Sequence, residues 1–308
     1  MELRLQSGDT PIRLDRFLSG ELPQYSRARL QDWIKSGRVT VNGQPAKPSL
    51  ALRGGETIQV EPAELPPLKA FAEDVPVEVL YEDQDLIAVN KPAGMVVHAG
   101  AGNHSGTLVN ALLHRFAALS RADDDLRPGI VHRLERYTSG VILVARTDLA
   151  HRALAAQFAG RQVEKIYLAL VHGELANETG RIDRPITRDP RRRVRMTARL
   201  ALGRPALTSY EVLRRFPGFT YLRVRIGTGR THQIRVHLAA IGHPVAGDRL
   251  YGAPARVPGC PELKRYFLHA HRIRFRSPSA GEEITVEAPL PGELSEWMRV
   301  LEARPAGG

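Results

Sequence analysis

Apolar positions change their spacing several times along this chain, and each change marks an element. Leu14, Phe17, Leu18 and Leu22 fit one face of a helix that ends near Pro23. Ser26 reads as the N-cap of a second helix, whose Leu30, Trp33 and Ile34 keep the i, i+3, i+4 spacing of a buried stripe. Gly37 suits the left-handed position that closes that helix. Val39 and Val41 then alternate into Asn42-Gly43, a tight-turn pair, and Thr57-Ile58-Gln59-Val60 forms a short strand after Gly54-Gly55. These elements define a compact unit over residues 12–60. The prolines at 62, 66 and 67 make residues 61–74 read as a semi-extended linker.

From residue 75 to 301 the pattern becomes short alternating strands with a few helices. Strands are expected at Asp85 to Asn90, Gly140 to Ala145, Tyr221 to Ile226 and Glu283 to Val286. Helices are expected at Thr107 to Phe116, Leu149 to Phe158 and His232 to Ala240. No repeat breaks this stretch, so it reads as one large antiparallel-rich mixed-sheet domain. The chain as a whole is of the α+β class.

Composition narrows the function. The 308 residues carry 44 Lys+Arg against 33 Asp+Glu, a formal net charge of +11, which points to a polyanionic partner. The single cysteine, Cys260, excludes an internal disulfide and a cysteine-based zinc site, and a reducing cytoplasm is the expected home. No apolar run approaches membrane-spanning length. The charge is also clustered. Arg27, Arg29, Lys35 and Arg38 surround the second helix and its exit, an arrangement able to grip phosphates on structured RNA. Arg188 to Arg195 forms a second basic run, expected on a hairpin or loop.

Four segments of the large domain carry candidate chemistry. They are Ala88 to His98 with Gly106 to Leu113, Gly129 to Gly140, Glu164 to Val171, and Gly227 to Leu238 with Gly242 to Asp248. In this order they resemble the RluA family of RNA pseudouridine synthases, and the tail Leu268-His269-Ala270-His271 fits as well. The 12–60 unit, with Tyr25 to Leu30 leading into Gly37 to Gly43, is similar to the S-four-type (alpha-L) RNA-binding domain. The resemblance implies a synthase that detaches uracil from its ribose and rejoins it through carbon, with no cofactor and no metal. It implies structured RNA, with large-subunit ribosomal RNA foremost, as partner, and a monomer.

The resemblance also assigns residues. The family's catalytic aspartate falls at Glu135, its tyrosine at Tyr167 and its carboxylate-pairing arginine at Arg235, with Arg230 as a rival for that pairing. Arg133 matches an arginine that fills the space left by a flipped nucleotide, a planar cation suited to the gap. His132, His232 and His237 read as structural. Glutamate for aspartate at 135 moves the carboxylate outward by about 1 Å, a displacement able to cost on the order of a hundredfold in rate. Two readings therefore stand: an active synthase working with Glu135, or a catalytically silent RNA-binding protein that aids ribosome assembly. The matched Tyr167, Arg235 and Arg133 favour the first.

Overall fold

A computed structural model of the chain describes residues 2–4, 11–22, 27–62, 70–100, 103–120 and 127–304, excluding the side chains of residues 2–4, 28 and 29. Ser26, the Arg29 side chain and linker residues 63–69 therefore lie outside the described residues. The chain divides into two compact units, Met1–Leu68 and Lys69–Gly308.

The small unit contains strands β1 (Glu2–Arg4) and β2 (Ile12–Arg13), helices α1 (Leu14–Glu21) and α2 (Arg27–Lys35), and strands β3 (Val39–Val41), β4 (Gln44–Pro45), β5 (Ala51–Leu52) and β6 (Thr57–Val60). Leu14, Phe17, Leu18, Leu30, Trp33 and Ile34 are all buried, as their helical spacing demands, and pack on Val39, Val41 and Ile58 of the sheet. The sheet order is β1-β6-β3-β4. Asn42 and Gly43 turn β3 into β4 with φ of 51° and 77°, the left-handed pair that a two-residue hairpin needs. Asp15 is buried in α1 and accepts hydrogen bonds from Arg13, Arg27 and Gln31. Arg27 is thus anchored to the fold, whereas Lys35 and Arg38 are exposed.

The large unit is built on a nine-stranded mixed sheet. Its strands are β7 (Glu78–Glu82), β8 (Leu86–Lys91), β9 (Ser139–Ala145), β10 (Glu164–His172), β11 (Thr179–Asp183), β14 (Leu207–Phe216), β15 (Phe219–Ile226), β16 (Leu268–Arg276) and β17 (Glu283–Glu287). The hairpin β12 (Thr187–Arg188) and β13 (Met196–Thr197) stands apart and presents the Arg188 to Arg195 run. The order β11-β14-β15-β10-β16-β9-β8-β7 is antiparallel except at β16–β9, with β17 beside β16. Helices α3 (Leu108–Arg115), α4 (Asp148–Ala159), α5 (Gln233–Ala240) and α6 (Gly292–Glu302) complete it.

Strands β8 and β9 read as unbroken apolar runs because both faces of the sheet are covered there. Ile87, Val89, Ile142 and Val144 join the core that includes α3 and α6. The alternate residues Leu86, Ala88, Val141 and Leu143 join the core under α4. Thr107 caps α3 through the Asn110 amide, and Thr147 caps α4 through the Ala150 amide. The helix α6 lies beyond the sequence expectations; Leu294, Trp297 and Leu301 form its buried stripe.

Residues 70–74, expected as linker, belong to the large unit. Asn110 Nδ2 donates to the Phe71 carbonyl at 2.7 Å, and Glu73 accepts from the Gly106 amide at 2.9 Å. The Phe71 carbonyl and the Glu73 amide both bond Asn110 of α3, so the segment is docked against that helix.

Gly140 sits at the parallel junction of β9 and β16, paired with Ala270, at φ 114°. A Cβ there would stand 2.1 Å from the Ala270 carbonyl oxygen. Gly140→Ala must therefore both strain the backbone and push two central strands apart, at a cost of about 2 kcal/mol or more. We expect its thermal midpoint to fall by about 5 °C or more, measured by calorimetry; an unchanged midpoint would show that the junction yields freely.

Candidate active site

Glu135 lies in the loop between the bridge at Ile130 and strand β9. Several contacts fix that loop. Lys91, fully buried, donates from Nζ to the carbonyls of Pro92, Met95 and Arg136 at 2.8, 2.9 and 3.2 Å. Arg136 also exchanges hydrogen bonds with Gly94: the Gly94 amide donates to its carbonyl and its own Nε donates to the Gly94 carbonyl. His132 turns the other way, accepting from the Leu143 amide at Nε2 (2.8 Å) and stacking on Phe158. Burial, with Lys165 nearby, lowers its pKa to about 3, so it is a neutral structural residue.

The Glu135 carboxylate is gripped at one oxygen. Arg235 Nη1 donates to Oε2 at 2.5 Å and the Tyr266 hydroxyl donates to the same oxygen at 2.8 Å. Among the described residues Oε1 accepts no hydrogen bond. Arg235, on α5, is only 5% exposed and is itself held in a fork by Asp248, Nε to Oδ2 at 2.6 Å and Nη2 to Oδ1 at 2.8 Å. Its guanidinium lies 4.1 Å from the Tyr266 ring centroid and 5.1 Å from that of Tyr251. Burial works against this charge, but Asp248 and Glu135 outweigh it and raise the arginine's pKa above its usual value. Burial and the adjacent Glu135 push the Tyr266 phenol up, so it keeps its proton and remains a donor.

Glu135 borders two connected recesses. One, of about 160 Å³, is lined by Arg133, Thr138, Tyr167, Arg230, His232 and Leu268 among others. The other, of about 670 Å³, runs over Arg133, Tyr137, Arg235, Arg249 and Tyr266. The Tyr167 phenol, buried on β10, is held well above the usual tyrosine range by burial and by the Glu135 charge. Arg133 is exposed and lines both recesses.

The structure thus brings together Glu135, Arg235, Tyr167 and Arg133. Of the two candidate arginines, Arg235 pairs with Glu135, while Arg230 donates from Nε to the Pro205 carbonyl at 3.3 Å. His237 is structural, bonded to Thr208 and to the Arg184 carbonyl. His232 lies at the site itself. At φ 57° it opens α5, bonds Tyr251 through Nδ1 and sets Nε2 3.8 Å from Glu135 Oε2, so it is part of the site wall. Burial lowers its pKa and favours the neutral ring. Sequence reasoning missed Tyr266 and Asp248 as site residues. Asp248 closes the Gly242 to Asp248 motif and could have been flagged as a carboxylate near Arg235; Tyr266 carries no local signal. Among the described residues no group of three or more His, Cys, Asp or Glu side chains is placed to hold a metal ion, and no helix is long and apolar enough to cross a membrane.

Comparison with known proteins places both units among RNA-modifying and RNA-binding families. The family model described as RNA pseudouridylate synthase matches residues 85–240, and that of the S4 domain matches residues 12–58. Ribosomal large subunit pseudouridine synthase D of Xanthomonas campestris is 45% identical over 94% of this chain and 88% of its own length. The uncharacterized RNA pseudouridine synthase YlyB of Bacillus subtilis is 41% identical over 94% of each chain. Among solved structures, human RNA pseudouridylate synthase domain containing 1 superposes with a TM-score of 0.57 at 26% identity, over 80% of this chain and all of its own.

The Asp248 fork gives a direct stability test. Asp248→Ala would leave the Arg235 guanidinium buried with one carboxylate fewer, a loss of about 3 kcal/mol or more. Denaturant unfolding of this variant should show that drop; a change below about 1 kcal/mol would mean the fork is not what holds the arginine.

Proposed function

The chain belongs to the RNA pseudouridylate synthase family, and from that premise we propose that it isomerises a uridine of large-subunit ribosomal RNA, with Glu135 as the catalytic carboxylate. The observation that carries this reading is the Glu135 carboxylate itself, held through Oε2 by Arg235 and Tyr266 at the edge of the recess that Tyr167 lines. The relatives named ribosomal large subunit pseudouridine synthase D support the choice of RNA. The cytoplasm is the matching compartment for such a substrate.

The reaction breaks the bond from ribose C1′ to N1, makes one from C1′ to C5, and moves the C5 proton to N1, so its atoms balance without a co-reactant. Glu135 Oε1 is left to act on the nucleoside as nucleophile or base. Arg235 and Tyr266 hold the charge in place, which limits the orientational cost of the longer side chain. Tyr167, kept as a neutral phenol by burial and the Glu135 charge, offers the uracil a ring to stack on and a hydroxyl for proton delivery. Arg133, which lines the recess, supplies the planar cation for the space of the extruded nucleotide, whose unstacking costs a few kcal/mol. Arg230, on the same recess, is assigned to the RNA backbone. Arg29, Lys35 and Arg38 of the small unit supply sequence-independent affinity for structured RNA, while Arg27, half-exposed but tied to Asp15, shapes that face. The assembled ion pair and phenol favour an enzyme over a silent binding protein, since RNA binding alone has no use for a pinned carboxylate.

The test is chemical mapping of pseudouridine in ribosomal RNA from cells with and without the gene. At least one large-subunit uridine should lose its modification, the wild-type gene should restore it, and Glu135→Gln should not restore it although the protein still binds RNA. Restoration by Glu135→Gln would remove the carboxylate from catalysis. A loss confined to transfer RNA would overturn the substrate.

A further inference from the structure

Ile226, Gly229 and Arg230 border the catalytic recess and also a second cavity of about 600 Å³. Its walls come from the end of α4, the start of β10 and the ends of β15 and β16. Six basic side chains line it, Arg161, Lys165, Arg225, Arg230, Arg274 and Arg276, against two carboxylates, Glu164 and Glu283, a surplus of four positive charges.

The arrangement is more than a solvated basic face. Glu164, 13% exposed, orients three guanidiniums: Arg274 at 2.7 Å, Arg225 at 3.3 Å and Arg272 at 3.4 Å. Its charge is therefore shared, and Arg161 and Lys165 have no carboxylate within ion-pair distance among the described residues. The Lys165 ammonium is drawn inward over the Phe158 ring, 5.7 Å from its centroid. Burial pushes its pKa down, as expected for a cation removed from water without a counter-charge. An anion in the cavity would supply that charge.

Geometry says which anion. Lys165 and Tyr167 are two apart on β10 and share one face of the strand, about 7 Å from each other. Tyr167 lines the catalytic recess and Lys165 the cavity beside it. A strand whose target base enters the first has its neighbouring backbone within reach of the second. We propose that this cavity binds the backbone phosphates of the unpaired RNA that flanks the target uridine, with Arg161 and Lys165 as the phosphate-binding cations and the guanidiniums held by Glu164 as the wall. The proposal rests on the reading that the catalytic recess receives the uridine. An acidic protein segment is the competing occupant.

The experiment measures the affinity of the full-length protein for a defined RNA hairpin with a single-stranded loop, across a range of NaCl concentrations. Loss of two single-strand phosphate contacts should flatten the slope of log K against log salt by about 1.4 in Arg161→Gln/Lys165→Gln, with about tenfold weaker binding at low salt. Lys165→Arg should keep the wild-type slope. Should the double variant unfold, Arg161→Gln alone, at an exposed position, should flatten the slope by about 0.7. Wild-type slope and affinity in the folded variants would overturn the proposal. So would unchanged RNA binding with lost binding of a poly-glutamate peptide. A wild-type protein that forms no pseudouridine, yet shows the slope change on substitution, would refute the catalytic reading and leave the cavity assignment standing.

Discussion

The catalytic half of this protein depends on one buried ion pair, Arg235 with Glu135, and on the fork from Asp248 that keeps the arginine in place. A guanidinium at 5% exposure is costly unless its donors are met, and here two carboxylates and two aromatic rings meet them. The consequence for Glu135 is geometric. Its Oε2 is fixed from one side by Arg235 and from another by Tyr266, so the added methylene brings no added freedom. The rest of the unit serves this arrangement. Lys91 and Gly94 clamp the turn after Glu135, Gly140 lets β9 lie against β16, and α5 carries Arg235 in from a segment one hundred residues away in sequence.

Much of this was legible in the chain. In the small unit α1, α2, β3 and β6 are legible because their signals are local, helical stripes, a capping glycine and an Asn-Gly turn, whereas the short strands β1, β2, β4 and β5 leave no periodicity to read. The segments that carry Glu135, Tyr167 and Arg235 were legible through their resemblance to a family. The choice of Arg235 over Arg230 was not, since both lie near the start of one helix and only tertiary packing shows which points at the carboxylate. Tyr266 was invisible for a similar reason. It precedes β16 with no motif of its own, and its role exists only because β16 runs beside β9. The place of His232 beside Glu135, at the left-handed residue that opens α5, leaves no mark on composition or periodicity.

The positive charge of the chain divides into parts with different physical work. Arg235 and Arg265 are buried and fully engaged within the fold, tied to carboxylates, hydroxyls and backbone carbonyls. Arg27 answers the buried Asp15. Lys35, Arg38 and the exposed Arg191, Arg192 and Arg193 of the hairpin remain as surface charge, where long-range attraction to phosphates acts and salt screens it. A net charge of +11 is therefore a poor count of RNA contacts; which cations already have a fixed partner is the better guide.

In the proposed reaction Tyr266 holds the Glu135 carboxylate at the full reach of the glutamate side chain. A double-mutant cycle on pseudouridine formation tests it, using kcat/KM for the wild type, Glu135→Asp, Tyr266→Phe and the combination. Retracting the carboxylate by about 1 Å takes it out of reach of the phenol, so each single change should cost roughly ten- to a hundredfold. The double variant should then be no worse than Glu135→Asp alone, a coupling of about 1.4–2.7 kcal/mol. Losses that simply multiply, or a Glu135→Asp enzyme faster than the wild type, would contradict the account.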